Sequence, residues 1–252
     1  MSPFVQLNRI ESVLSIVLER PSKKNALNRD MYCALTEALL TAQQDPSIRV
    51  VVLSGAGGDF TAGNDLGDFL NFIESPETFP ALTFVRTLAL FPKPIVAAVT
   101  GAAIGVGTSM LFHCDLVFAS SEAIFLMPFI NLGLVPEAGV SLLAPLRLGM
   151  ARATQALLLG EAFSAQQALE MGLVNAVTSL DGVKAMAIEA SLRLAEKDPF
   201  ALNATRRLMR GEPEKLLAQI DKEAELFVLA LRTPSTQARL EAFLRGKESS
   251  RR

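Results

Sequence analysis

Lys93-Pro94-Ile95-Val96-Ala97-Ala98-Val99-Thr100-Gly101-Ala102-Ala103-Ile104-Gly105-Val106-Gly107 is the stretch on which the reading of this fold turns. Ile95–Val99 is apolar at every position, the pattern of a strand buried on both faces. The glycines that follow read as a turn into a helix running through Phe112. From Pro94 to Phe112 there are 19 residues without a charge, a length that could cross a membrane. Pro94, Gly101, Gly105 and Gly107 punctuate the run, and Thr100, Thr108 and Ser109 are polar. It therefore reads as strand, turn and helix of a soluble domain, with no membrane span.

Similar units lie to either side. Val13–Leu18 and Leu116–Ala119 are strand candidates, and Val50-Val51-Val52-Leu53 is an apolar run entering Ser54-Gly55-Ala56-Gly57-Gly58. Asn28 can cap a helix in which Met31, Leu35, Ala38, Leu39 and Ala42 recur at helical spacing. Gly67 to Leu90 reads as a mobile connection followed by a helix. Beyond Ser164, which can cap a short helix through Met171, the strand signals nearly stop, with Leu173–Val177 as one last short strand. Residues 181–196, 199–210, 213–232 and 235–245 read as helices, broken by Pro199, Gly211, Pro213 and Pro234. The expectation is an α/β core over residues 1–195 and a helical C-terminal subdomain over 196–252.

Composition narrows the function. The chain of 252 residues is 50% hydrophobic and carries a net charge of -2. With one Tyr and no Trp, and no basic run among aromatics, nothing suggests a nucleic-acid partner. Cys33 and Cys114 are far apart and read as reduced, buried, small apolar residues, which suits a reducing, cytoplasmic setting. The N-terminus lacks the pattern of a signal peptide and the C-terminus that of a peroxisomal tripeptide. No P-loop, dinucleotide fingerprint or metal-ligand motif is found, so neither a protein-held metal nor a bound cofactor is expected. The one histidine, His113, ends an apolar helix and reads as structural. What remains is two glycine-bearing loops, Gly63-Asn64-Asp65-Leu66 and Gly105-Val106-Gly107, and a set of carboxylates. Backbone N–H groups in such loops can converge on a developing oxyanion. Taken singly, each loop reads as a tight turn.

In order along the chain, however, several segments resemble the crotonase (enoyl-CoA hydratase/isomerase) superfamily. Arg20-Pro21-Ser22-Lys23-Lys24-Asn25-Ala26-Leu27 resembles its N-R-P-x-x-x-N-A-L. Asp59-Phe60-Thr61-Ala62-Gly63-Asn64-Asp65-Leu66 resembles its F-x-A-G-A-D-[LI]. The stretch from Lys93 to Gly107 resembles its K-P-[VI]-[VI]-A-A-V-x-G-x-A-x-G-G-G, and Cys114-Asp115-Leu116, Phe163-Ser164-Ala165 and Met171-Gly172-Leu173-Val174 match later pieces. The resemblance implies a spiral of ββα units, a C-terminal helical part that builds homotrimers or hexamers, and an acyl thioester of coenzyme A as ligand. Coenzyme A would be part of the substrate rather than a cofactor. By matched position, the N–H groups of Asn64 and Val106 would form the oxyanion hole, with the Val106 side chain narrowing the pocket. Backbone around Lys24 and Ala26, and around Ala62, Asp65 and Leu66, would hold the coenzyme, and Lys23 or Lys24 could meet a phosphate.

The departures refine the activity that the resemblance implies. Where hydratases carry two Glu residues, this chain has Ser109 and Phe129. Water addition needs paired carboxylates to activate and orient the water, so it is not expected. Leu132-Gly133-Leu134-Val135-Pro136-Glu137-Ala138-Gly139 instead resembles the L-G-x-x-P-E-[AG] of peroxisomal-type Δ3,Δ2-enoyl-CoA isomerases, whose Glu is the catalytic acid/base. Read without that resemblance, Glu137 is an acidic residue placed for a helix's first turn. Two other readings stay open: a proton shuttle on a ring-type acyl-CoA of a phenylacetate-like pathway, and a catalytically silent acyl-CoA-binding subunit.

Overall fold

A computed structural model describes residues 2–65, 67 and 80–249. Its main sheet has six strands in the order β1 (Val5–Ile10), β2 (Val13–Leu18), β3 (Val50–Gly55), β4 (Ile95–Val99), β6 (Leu116–Ser120) and β9 (Ala176–Thr178). Only β1 and β2 run antiparallel; every other pairing is parallel. A smaller sheet joins β5 (Ala102–Ile104), β7 (Ile124–Leu126) and β8 (Phe163–Ser164).

The apolar runs are continuous because the main sheet is covered on both faces. Val13, Val50, Val52, Val96, Ala98 and Phe118 face α7 (Gly182–Ala195), where Val183 and Ala187 meet them. The alternate residues Val51, Leu53, Ile95, Ala97, Val99 and Val117 enter the larger core, with Met31, Leu35 and Leu39 of α1 (Arg29–Gln44) and Phe84 and Leu88 of α2 (Pro80–Leu90). Asn28 caps α1, its side chain accepting from Met31 N at 3.0 Å. Ser164 and Gln167 form a capping box on α6 (Ala165–Glu170). The last helices are α8 (Pro199–Arg210), α9 (Pro213–Leu231) and α10 (Pro234–Ser249).

Several local expectations are corrected. The turn after Gly101 contains β5, whose three residues pair with β7 and take their place from Thr61 alongside. The helix expected from Gly107 to Phe112 is a short α3 (Val106–Ser109) that tightens into a 3-10 turn over Met110–His113. The strand expected at Leu173–Val177 begins only at Ala176, since Leu173 and Val174 close the preceding turn on the Ala168 carbonyl. Cys33 is exposed, on the outer face of α1 between the inward-facing Met31 and Leu35; Cys114 is buried, and both are free. Among the described residues, no helix is long and apolar enough to cross a membrane.

Candidate active site

The neighbouring parallel strands β2, β3 and β4 all release their chain at one end of the sheet. Carboxyl ends of parallel strands are where open α/β sheets place ligands. The three loops that emerge are 19–28, 56–65 and 100–105, and hydrogen bonds lace them together. Asn25 is the hub of the lacing. Fully buried and left-handed (φ +55°), it accepts from Arg20 N at 2.8 Å. Its amide donates to the carbonyls of Ala56 at 2.8 Å and Asp59 at 2.7 Å. Ala62 N donates to Lys24 O, Leu27 N to Gly63 O, and Asp65 N to Leu27 O, each at 2.8 Å. Arg20 adds an ion pair to Asp65 at 2.6 Å and a bond to Ala26 O at 3.0 Å. Burial raises the Asp65 carboxyl, but the bond and charge of Arg20 outweigh it and hold the group below its ordinary range. The third loop joins by Thr61 N donating to Ala102 O at 2.9 Å and Ile104 N to Thr61 O at 3.0 Å.

These contacts place the residues singled out from sequence. Lys24, Ala26, Ala62 and Asp65 sit together where the first two loops meet; Leu66 lies outside the described residues. The N–H groups of Ala26, Ala62 and Asp65 are spent on Lys23, Lys24 and Leu27 carbonyls, so those N–H groups are not free for a ligand. The Lys24 side chain is 68% exposed, 3.6 Å from Asp59. Asn64 and Val106 end two loops that run side by side. A Cβ on Gly63 would lie 2.6 Å from Ile104 O, and one on Gly107 would lie 2.6 Å from Thr61 Cγ2. Both glycines are therefore required by the close approach. Among the described residues, neither the Asn64 nor the Val106 N–H has an acceptor. The Val106 side chain is fully buried against the main core.

Glu137 reaches the same place from elsewhere in the chain. It follows Pro136 and precedes two left-handed residues, Ala138 (φ +65°) and Gly139 (φ +71°), before α4 (Val140–Leu148) begins. A left-handed Ala costs about 1–2 kcal/mol, and contacts from both sides hold it. His113 donates from Nε2 to Ala138 O at 2.8 Å. Burial pushes the His113 pKa down to about 4, so the ring is neutral and keeps one nitrogen as donor. From α9, the buried Glu223 accepts from Gly139 N at 2.6 Å, Ser141 N at 2.9 Å and the Ser141 hydroxyl.

Glu137 as a whole keeps partial exposure, but its Oε1 is sealed from solvent and has no hydrogen-bond partner. Burial, with the negative charge of Glu223 added, lifts its pKa from 4.5 to about 8; a hydrogen bond from the Asn64 side chain works the other way. The Asn64 amide is itself oriented, because its Oδ1 accepts from the buried Tyr32 hydroxyl, which turns the NH2 group to the carboxylate. Burial and the Glu137 charge raise the Tyr32 phenol well above 10.0, so it remains a donor.

Sequence reasoning missed Tyr32, the Asn64 side chain and Glu223. Tyr32 is one buried residue among seven on the inner face of α1 and carries no pattern of its own, and Glu223 lies 84 residues from the turn it binds. The positions of the two hydratase acids hold Ser109, which donates to Gly105 O at 3.2 Å, and Phe129; both are buried.

A family model described as Enoyl-CoA hydratase/isomerase matches residues 8–249. The chain is 33% identical to 1,2-epoxyphenylacetyl-CoA isomerase of Escherichia coli K12, over 97% of this chain and 96% of that protein. It is 35% identical to enoyl-CoA delta isomerase 2 of Rattus norvegicus, over 84% of this chain and 56% of that protein. Hydratase-named relatives match at comparable identity. An enoyl-CoA hydratase/isomerase structure from Pseudoalteromonas atlantica T6c superposes with a TM-score of 0.92 at 39% identity, covering 96% of this chain and 97% of that one.

Proposed function

The chain belongs to the enoyl-CoA hydratase/isomerase family, and on that premise we propose that it shifts the C3 double bond of an enoyl-CoA to C2, with Glu137 as the proton shuttle. The observation that carries this reading is the Glu137 carboxylate, its Oε1 sealed from solvent without a partner and its pKa raised, in the same site as a backbone N–H that has no acceptor. A base that must take a proton and return it works best with a pKa near the working pH, and burial in a site is how a protein sets one.

The 3-enoyl thioester has an acidic C2–H, flanked by the carbonyl and the double bond. Glu137 takes that proton, the C2–H bond breaks, and its electron pair passes into the thioester carbonyl. The resulting dienolate oxygen is held by the Asn64 and Val106 N–H groups, a contribution of about 10²–10³ in rate for each such donor. Glu137 then returns the proton to C4 and the double bond closes between C2 and C3. Atoms and electrons balance without a cofactor or water, so one carboxylate suffices. The coenzyme is held where Lys24, Ala26, Ala62 and Asp65 come together, by loop carbonyls and a lysine near phosphate, with Leu66 assigned to the same binding segment by its place in the sequence motif. Ser109 and Phe129, uncharged at the hydratase positions, weigh against water addition.

The experiment is a 3-enoyl-CoA incubated with the protein in heavy water, with Glu137→Gln alongside. Migration of the double bond with deuterium uptake at C2 and C4, lost in the variant, supports the shuttle. Parent-rate turnover by a folded Glu137→Gln refutes it, and CoA binding without exchange indicates a silent binding subunit. A second reading, a ring-type acyl-CoA isomerase, is favoured by the near full-length match to 1,2-epoxyphenylacetyl-CoA isomerase; cyclic against straight-chain substrates separates the two. We also take residues 196–252 as the part that assembles a homotrimer or hexamer. The exposed Phe200, Leu208 and Met209 of α8 support it, and light scattering tests it.

A further inference from the structure

We propose that Glu223 is a positioning residue for Glu137: from α9, its buried carboxylate holds the turn that presents the base. The inference rests on the shuttle role proposed for Glu137. Glu223 is 4% exposed, and both its oxygens are engaged. Oε2 accepts from Gly139 N at 2.6 Å; Oε1 accepts from Ser141 N at 2.9 Å and from the Ser141 hydroxyl. Only an acceptor with two oxygens satisfies three donors in this way; a Gln offers one. One helical turn earlier, Gln219 donates to Ser141 Oγ at 2.8 Å, so α9 grips the same turn twice. The fit is close, since a Cβ on Gly139 would lie 2.5 Å from Leu216 Cδ1 and 3.2 Å from Ile220 Cγ1. His113 fixes the other side of the turn through Ala138 O.

No cation neutralises Glu223 among the described residues. Arg86 of α2 pairs with Asp221. Arg147 of α4 donates to the carbonyls of Leu111, Cys114, Gly172 and Leu173. On α10, Arg239 binds Asn131 O and Arg245 pairs with Glu241. Lys215, Lys222 and Glu225 of α9 are exposed. His113 is neutral at neutral pH and Tyr32 stays protonated. Burial raises the Glu223 carboxyl, and the donors of Ser141 and Gly139 work the other way; the negative charge it carries acts on Glu137 and opposes its ionisation. The same side chain that places the shuttle adds to the burial that raises its basicity.

The test is the rate–pH profile of double-bond migration for the parent, Glu223→Gln and Glu137→Gln, each checked for folding by circular dichroism. In Glu223→Gln we expect kcat to fall about 10–10²-fold through misplacement of the base, with KM near the parent value and the midpoint of the profile moved to lower pH. A variant that is less stable but keeps the parent midpoint and kcat overturns the proposal, because it leaves Glu223 a purely structural residue. If Glu223→Gln does not fold, Ser141→Ala serves. It strips a bond that favours the charged Glu223, and it must also lower the midpoint; an unchanged profile overturns the proposal. If Glu137→Gln keeps the parent rate, the shuttle itself is wrong and this inference falls with it. If Glu137→Gln is dead and Glu223→Gln is parental, Glu223 alone is wrong.

Discussion

Glu137→Gln tests more than catalysis, because the feature that makes Glu137 a usable base also works against the fold. In the folded chain its pKa stands at about 8 against an ordinary 4.5. Between those two values the unfolded chain has released the proton and the folded chain still holds it. Stability therefore falls as pH rises through that window, by about 1.4 kcal/mol per pH unit. Carried across the window, the loss is on the order of 5 kcal/mol and is complete above about pH 8. Gln has nearly the same shape and no proton to lose. Relative to the parent, the variant should gain stability progressively between pH 5 and pH 9, and should show no change in relative stability below pH 4.5. Denaturant unfolding of both proteins at pH 5 and pH 9 reads this difference, since the titrations of groups not coupled to Glu137 cancel between them. We expect a gap several kcal/mol wider at pH 9, with isomerisation reduced by about 10²–10⁴-fold there and by far less at pH 5, where the parent Glu137 is itself protonated. Equal gaps at the two pH values would refute the claim that burial holds Glu137 protonated.

Three further perturbations probe the same site. Asn64→Ala removes a bond that favours the charged carboxylate, so the rate–pH midpoint should move upward, opposite to the Glu223→Gln shift; a downward shift would show that the amide does not serve Glu137. Tyr32→Phe leaves Asn64 Oδ1 without its donor and should cost about 1–2 kcal/mol in urea unfolding, with a smaller upward shift of the midpoint. Arg20→Ala opens the pairing with Asp65 and Ala26 O; it should cost about 1.5–3 kcal/mol and raise KM for the CoA thioester while sparing kcat, and a fall confined to kcat would place Arg20 in the chemistry instead.

How far the chain could be read in advance follows from how local each signal is. Val50–Leu53 and Ile95–Val99 were legible because a parallel strand buried on both faces is apolar at every step, and Asn28 because a cap acts within three residues. β5, β7 and β8, of two or three residues each, are too short to show any period; they exist because Thr61 and each other's edges accept their hydrogen bonds. Cys33 was misplaced since its burial depends on which face α1 turns inward, and the Met31–Leu35 spacing was the cue to use. The loops carrying Asn64 and Val106 showed themselves by their glycines. Their lacing to one another through Asn25 and Thr61 did not, because no periodicity links residues 31 or more apart.

The turn at 137–139 shows why the decisive residues were the least visible ones. A carboxylate with an elevated pKa needs apolar surroundings and few donors, and such a group opposes its own burial. A left-handed Ala beside it adds backbone strain. Nothing local could hold this arrangement, and the contacts that do come from His113, 25 residues before Ala138, and Glu223, 84 residues after Gly139. Both partners are polar groups placed where a core would otherwise be apolar, and each bonds the backbone of the turn, Glu223 adding the Ser141 hydroxyl. A buried His and a buried Glu in an apolar context therefore carried the missing information: each needs a partner, and here that partner is the segment that presents the base.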